Sequence, residues 1–287
     1  MTDVLLVTSA DWPDGEPGGH LLLEELTARS VSARWVVWDE PSVDWTAAGV
    51  VVVRSTWDYQ DQRDRFLAWA RAVEATSRLV NNADVLAWNT DKAYLLDLAT
   101  STLPVVPTLA AAEESELQTA IATFGTAVVK PRVGAHGRGV VVFDGEPGGE
   151  PGLDESRLDG GPWIVQPLVA SIRSEGEASV FVLGGRAVSQ VQKRPAAGDI
   201  RVHEEYGGRS AGVPLSPEAA TLAHQAVKRA ESVLDAPLPY ARVDLMRLAD
   251  GTLAVSELEV AEPGLYLDLV PQNAGWFADA VVDLLGS

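Results

Sequence analysis

The chain has 287 residues, 46% of them apolar, which suffices for a buried core and sets a soft prior of two domains. Its 22 basic and 41 acidic residues give a formal charge of −19, the wrong sign for neutralising nucleic-acid phosphates or docking on an anionic membrane. The absence of cysteine excludes disulfides, thiolate metal sites and a cysteine nucleophile, and four histidines leave little for metal chemistry.

No apolar run approaches the roughly 20 residues of a membrane span. The start, with Asp3 before Val4 to Val7, lacks the basic residues of a signal peptide, so a cytoplasmic location is expected. Residues 1–88 alternate short apolar runs with amphipathic stretches. Val4 to Val7 predicts a strand, Gly19 to Ala33 a helix, Arg34 to Trp38 a second strand and Val50 to Val53 a fully buried third. Asp61 to Arg78 predicts a helix with Phe66, Leu67, Ala70 and Val73 on one face, completing a parallel α/β domain. Residues 89–161 read as an α+β unit: a helix from Asp91 to about Ala99, a short strand near Val105, a helix from Glu113 to Phe124, and β runs at Ala127 to Lys130 and Val140 to Phe143. Asp144 to Gly161 is crowded with Gly, Pro and acids, which predicts a mobile surface loop and a seam. Residues 162–287 form a second α+β unit. It has a strand at Trp163 to Gln166, a hairpin pair at Ala178 to Leu183 and Arg186 to Val191, and a helix from Pro217 to Leu234. Strands at Ala241 to Arg247 and Leu253 to Leu258 and a helix from Asn273 to Leu285 complete it.

Several catalytic patterns fail on inspection. No glycine precedes a lysine, so there is no Walker A loop, and Gly134 to Gly139 does not fit the dinucleotide-binding spacing. Gly208-Arg209-Ser210-Ala211-Gly212 matches a nucleophile elbow, but the only downstream histidine, His224, lies 14 residues on inside a predicted helix. His203-Glu204-Glu205 lacks the second histidine of a metalloprotease helix.

Arginine supplies most of the positive charge, and the only lysines are Lys92, Lys130, Lys193 and Lys228. A lysine inside a motif is therefore a candidate for a task that needs a compact point charge. Val128-Val129-Lys130-Pro131 ends a β run in lysine just before the glycine-bearing loop that runs to Gly139, a combination suited to cradling phosphate. Arg242-Val243-Asp244 and Glu257-Leu258-Glu259 lie on successive predicted strands, where period two sends each charged pair to one face. Three carboxylates converging without histidine or cysteine favour Mg²⁺ shared with nucleotide phosphates.

Together these motifs resemble the ATP-grasp superfamily of carboxylate ligases, especially the branch of D-alanine:D-alanine ligase and bacterial glutathione synthetase, over nearly the whole chain. The resemblance implies an N-terminal α/β domain (1–88) and two α+β subdomains (89–161 and 162–287) that clasp ATP between them. It implies that Lys92, Lys130 and Lys193 hold phosphates beneath a loop containing His136, Gly137, Arg138 and Gly139. Gln166, Pro167, Leu168 and Val169 correspond to the adenine hinge, and Glu177 to the ribose-binding acid. Asp244, Glu257 and Glu259 match the metal end, for one or two Mg²⁺ ions with Mn²⁺ as a substitute, although the family usually has Asn where Glu259 stands. Ser189 to Gly208 is similar to the segment that sets Lys193 and Arg201 against phosphate and acyl intermediate, with Arg242 as a further stabilising cation. The implied reaction joins an activated carboxylate to an amine, and a homodimer is a family-level expectation.

Arg54-Ser55-Thr56-Trp57-Asp58 follows a buried parallel strand at the end where open α/β sheets place ligands. Arg54 pairing a carboxylate and Asp58 an amine would suit a small amino-acid-like substrate. RSTWDY, QKRPAAGDIRVHEEYGG and ELEVAEPGLYL are most similar to the branch containing the cycloserine-forming cyclo-ligase, so intermolecular ligation and ring closure both remain open. Two other classes compete: a non-catalytic nucleotide-binding sensor or interaction protein with this fold, and a solute-binding domain.

Overall fold

The structure is a computed structural model that describes residues 2–145, 148, 149, 158 and 160–286. Most of the stretch 144–161, expected as a loop and seam, lies outside the described residues.

The first sheet holds β1 (Thr2–Thr8), β2 (Ala33–Val37), β3 (Ala48–Ser55) and β4 (Leu79–Val80) in the order β2-β1-β3-β4, all parallel. Its strands are apolar on both faces because both faces are covered. On one side Val4, Leu6, Val50 and Val52 pack with Leu22 and Leu26 of α1 (His20–Ala28). On the other, Leu5, Val7, Val51 and Val53 meet Phe66, Leu67, Ala70 and Val73 of α2 (Arg63–Glu74), the face the sequence predicts. Helix α1 ends earlier than expected, at Ala28, because Ser30 adopts a left-handed φ of 60° and turns the chain into β2.

The helix expected from Asp91 to about Ala99 is α4 (Tyr94–Ala99), preceded by α3 (Ala83–Asn89), which the expectation lacked and which Asn82 caps by accepting from Val85 N at 2.9 Å. Val105 forms only an isolated bridge to Val255, and the neighbouring strand is β5 (Leu109–Ala111). It joins β6 (Ala127–Pro131), β7 (Val141–Phe143) and β8 (Trp163–Pro167) in an antiparallel sheet of order β5-β8-β6-β7, backed by α5 (Glu114–Phe124). Residues 127–131 of β6 pair with 167–163 of β8, so a boundary at 161/162 divides one sheet instead of separating two.

After the one-turn α6 (Ser171–Ser174), the third sheet contains β9 (Glu177–Leu183), β10 (Arg186–Arg194), β11 (Arg209–Val213), β12 (Tyr240–Arg247) and β13 (Leu253–Glu259). Its order is β11-β10-β9-β12-β13, antiparallel throughout, and α7 (Pro217–Leu234) covers one face. Strand β11 is absent from the expectation because RSAGV has no alternation of apolar residues and sits at the sheet edge. The last helix, α8 (Asn273–Leu285), returns to the first sheet, where Phe277, Ala278 and Val281 join the cluster of Leu22 and Leu26.

Asn89, at the end of α3, fastens the exit of β13. Its Nδ2 donates to Leu258 O at 2.7 Å, and its Oδ1 accepts from Val260 N at 2.8 Å and Ala261 N at 3.0 Å. Asn89→Ala leaves three buried backbone groups without partners, and urea unfolding is expected to show a loss of about 3 kcal/mol or more. A loss under about 1 kcal/mol would mean that water or a shifted neighbour replaces the amide.

Candidate active site

A cleft of 570 Å³ lies between the second and third sheets and is bounded on its remaining side by loops of the first domain. Its floor is one face of β10, β9, β12 and β13, where strand register sets opposite charges across from one another. Lys193 lies opposite Glu177, and Arg242 opposite Glu259. Asp244 lies opposite Glu257 on one side and Ser179 on the other. Lys193 Nζ reaches Glu177 Oε1 at 2.5 Å and Asp244 Oδ2 at 3.0 Å. Arg242 grips Asp244 through Nε at 3.0 Å and Nη2 at 2.9 Å, and Nη2 also donates to Glu259. Ser179 Oγ donates to Asp244 Oδ1 at 2.6 Å. From the second sheet's side, Lys92 Nζ pairs with Glu257 Oε1 at 2.7 Å.

These pairs set the charge states. Burial works against the Asp244 carboxylate, but Arg242 and Lys193 hold its pKa well below the usual range. Burial opposes Glu257 too, and Lys92 and Lys130 outweigh it. Glu259 behaves differently: burial, followed by the neighbouring Asp244 and Glu257, outweighs Arg242 and pushes its pKa up to about 8. One oxygen from each of Asp244, Glu257 and Glu259 lies within 4.8 Å of the others. This compact hard-oxygen set with surplus negative charge fits a divalent cation of the Mg²⁺ type. Lys130 makes no ion pair among the described residues, and burial lowers its pKa while Glu257 and Glu177 oppose the shift.

The loop over the cleft matches its sequence. His136, Gly137 and Gly139 take left-handed φ values of 56°, 69° and 69°. A Cβ on Gly137 would lie in ordinary contact with the Tyr206 ring at 3.4 Å and Arg201 Cγ at 3.5 Å, so it is the left-handed turn that calls for glycine there. Lys92 Nζ ties the loop down by donating to Gly134 O at 2.8 Å, and His136 stacks on His203 at 4.8 Å. Arg138, exposed, pairs with Asp61 at 3.6 Å. Gln166, Pro167, Leu168 and Val169 line the cleft where β8 ends, and Gln166 Nε2 donates to Thr108 Oγ1 at 3.0 Å. Arg201 lines the wall, forked onto Asp199 at 2.7 Å and stacked 3.6 Å over the Tyr206 ring.

The segment expected to read substrate divides in two. Trp57 lines the cleft, and Asp58 lines an adjoining polar hollow while accepting from Trp38 Nε1 at 3.0 Å. Arg54, Ser55 and Thr56 do not line the cleft and are fully buried. Ser55 Oγ bonds Thr8 Oγ1 at 2.7 Å. The Arg54 guanidinium pairs with the buried Glu16, donates to Pro263 O at 2.8 Å and lies over the rings of Phe277 and Tyr240 at 4.9 and 5.6 Å. The expectation that Arg54 binds a substrate carboxylate is thereby corrected, since Glu16 already occupies it. Glu16 Oε2 also accepts from Leu265 N at 2.7 Å, so the pair binds the first domain to the loop after β13.

Sequence reading did not name Trp12, Glu16, Tyr59, His203, Glu262 or Tyr266 as site residues, although they line the cleft. Tyr59, His203, Glu262 and Tyr266 lie in the flagged stretches RSTWDY, QKRPAAGDIRVHEEYGG and ELEVAEPGLYL, but nothing in their spacing marks them. Arg54→Met is expected to cost roughly 3–5 kcal/mol in chemical denaturation, because it leaves the Glu16 carboxylate buried and unpaired. Wild-type stability in this variant would show that Glu16 escapes to water.

The family model described as D-cycloserine synthetase DcsG, N-terminal domain, matches residues 4–81, and that of the prokaryotic glutathione synthetase ATP-grasp domain matches residues 92–233. Over 276 residues the chain is 30% identical to the cycloserine biosynthesis protein DcsG of Streptomyces lavendulae, with 92% of each covered. It is also 30% identical, over 48% of its length and 28% of the relative's, to a probable alpha-L-glutamate ligase of Parasynechococcus marenigrum. The crystal structure of D-cycloserine synthetase DcsG aligns at a TM-score of 0.87 with 28% identity, covering 98% of this chain and 99% of that one. The ATP-grasp ligase PsnB, complexed with a minimal precursor, shares the fold at a TM-score of 0.67 and 17% identity over 99% of each chain. The chain belongs to the ATP-grasp ligase family and is a carbon–nitrogen ligase.

Proposed function

We propose that this enzyme uses ATP to activate the carboxylate of a small amino-acid-like substrate as an acyl phosphate, which an amine then captures. The observation that carries this reading is the charged floor, in which Asp244, Glu257 and Glu259 gather within 4.8 Å and are interleaved with Lys92, Lys193 and Arg242. Phosphoryl transfer needs positioned positive charge and no side-chain nucleophile.

In this reading adenine lies against the main chain of residues 166–169, with the ribose toward Glu177. The loop of residues 134–139 turns its backbone over the phosphates, and Lys92, Lys130 and Lys193 neutralise them. Asp244, Glu257 and Glu259 would hold Mg²⁺, or Mn²⁺ in its place, which supplies charge neutralisation at the phosphate oxygens. Arg242, anchored by Asp244, faces the charge that develops on the acyl group. Arg201 contributes there only if it exchanges Asp199 for substrate. Trp57 and Asp58 form the substrate side, and Arg54, Ser55 and Thr56 support them from behind. The carbon–nitrogen bond forms between two molecules or within one, the second outcome being that of cycloserine formation.

Phosphate release from Mg·ATP over a panel of small amino acids, with hydroxylamine present, is expected to yield a hydroxamate with at least one of them. Lys130→Ala and Asp244→Asn are each expected to slow it by about 100-fold or more. ATP binding without phosphate release for any carboxylate would overturn the acyl-phosphate route, and mass spectrometry of the untrapped product separates a ring from a linear amide.

A further inference from the structure

The carboxylates on the cleft floor each have a cationic partner: Glu257 has Lys92, Glu177 has Lys193, Asp244 has Lys193 and Arg242, and Glu259 has Arg242. Glu262 lines the same cleft, is only 8% exposed, and has no ion-pair partner among the described residues. Burial, with Glu257 on β13 adding to it, pushes the Glu262 pKa up to about 7; Lys92 and Arg242 oppose that shift with their fields but are engaged elsewhere, and the Tyr59 hydroxyl that faces it opposes it too. A buried carboxylate without a counter-charge is costly to keep, and a site that keeps one is prepared for a cation that arrives from outside.

The backbone around Glu262 is held on several sides. Its own carbonyl accepts from Trp57 Nε1 at 3.1 Å, Pro263 O accepts from Arg54 at 2.8 Å, and Ala261 N donates to Asn89 at 3.0 Å. Such fixation suits a recognition group more than a flexible surface acid. Glu262 lies outside the compact set of Asp244, Glu257 and Glu259, the one group among the described residues whose oxygens converge as metal ligands do. Trp12 and Trp57, edge to face at 5.3 Å, line the cleft beside it, an aromatic setting that also favours an organic cation.

We infer that Glu262 is the anchor for the α-ammonium group of the amino-acid substrate whose carboxylate is activated. The inference rests on the reading under Proposed function, because an amino acid carries both groups on one carbon. A carboxylate presented at the metal end then sets its ammonium toward the loop three residues beyond Glu259.

The test is equilibrium binding in the presence of Mg²⁺ and a non-hydrolysable ATP analogue, which needs no turnover. Alanine, serine and glutamate of both configurations are each compared with the matching 2-hydroxy acid: lactate, glycerate or 2-hydroxyglutarate. The wild type is expected to bind at least one amino acid roughly 10- to 100-fold more tightly than its hydroxy counterpart. Glu262→Gln is expected to abolish that preference by weakening the amino acid alone, and to keep or raise Tm because it removes an unpaired buried charge. Equal binding of the two acids by the wild type, binding of neither, or equal weakening of both in Glu262→Gln would overturn the inference. The wild-type comparison stands even if the variant misfolds. A clear amino preference without hydroxamate formation would reject the acyl-phosphate reading while leaving the anchor in place.

Discussion

The active site depends on opposite charges being placed across from one another by the register of a single antiparallel sheet. Taking a carboxylate or an ammonium out of water is expensive, and the expense is offset only when the partner lies at hydrogen-bonding distance. In this sheet the pairing is built into the backbone ladder. Lys193 faces Glu177, Arg242 faces Glu259, and Asp244 lies where both cations reach it. A slip of one residue in β12 would turn Arg242 and Asp244 toward the face covered by α7, where Val243 and Leu245 now pack. The apolar core beneath the sheet and the charged floor above it are thus two consequences of one register.

The same arrangement resolves a conflict between the whole molecule and its site. A chain of net charge −19 repels a polyphosphate at long range. Attraction has to be local, which is where three of the four lysines are found. Lys92 and Lys193 are held by carboxylates, whereas Lys130 has no ion-pair partner among the described residues. The first domain contributes through a different device. Arg54 and Glu16 form a buried pair that joins β3 to the loop after β13, and Asn89 and Trp57 bond neighbouring positions of that loop. The first domain's side of the cleft is therefore built where these elements meet, and its geometry follows from how they are tied.

Much of this was legible in the sequence where local pattern and chemistry coincide. Val4 to Val7 and Val50 to Val53 announce strands buried on both faces, and the face of α2 follows from the spacing of Phe66, Ala70 and Val73. The spacing of Arg242 with Asp244 and of Glu257 with Glu259 places each pair on one face of its strand, which is all that period two can supply. What period two cannot supply is the partner. Arg54 after a buried strand looks like a ligand reader until Glu16, distant in sequence, is found against it. Glu262 has no periodic neighbour and acquires meaning only from the absence of a cation around it. Strand β11 and helix α3 were hidden for a related reason, since one depends on pairing with β10 and the other on contacts with the third sheet.

The substitution of Glu259 for the asparagine usual in the family gains a physical rationale from Arg242. Asparagine would offer a neutral oxygen and leave the Arg242 guanidinium to Asp244 alone, whereas Glu259 shares that guanidinium and adds a full negative charge. Burial and its acidic neighbours disfavour that charge, so Glu259 is the member of the trio least able to remain ionised without help. In the proposed reading a divalent ion would relieve this most strongly at Glu259, because Asp244 has both Arg242 and Lys193 and Glu257 has Lys92, whereas Glu259 shares Arg242 with Asp244. The extra carboxylate would then couple cation occupancy to the charge of the floor.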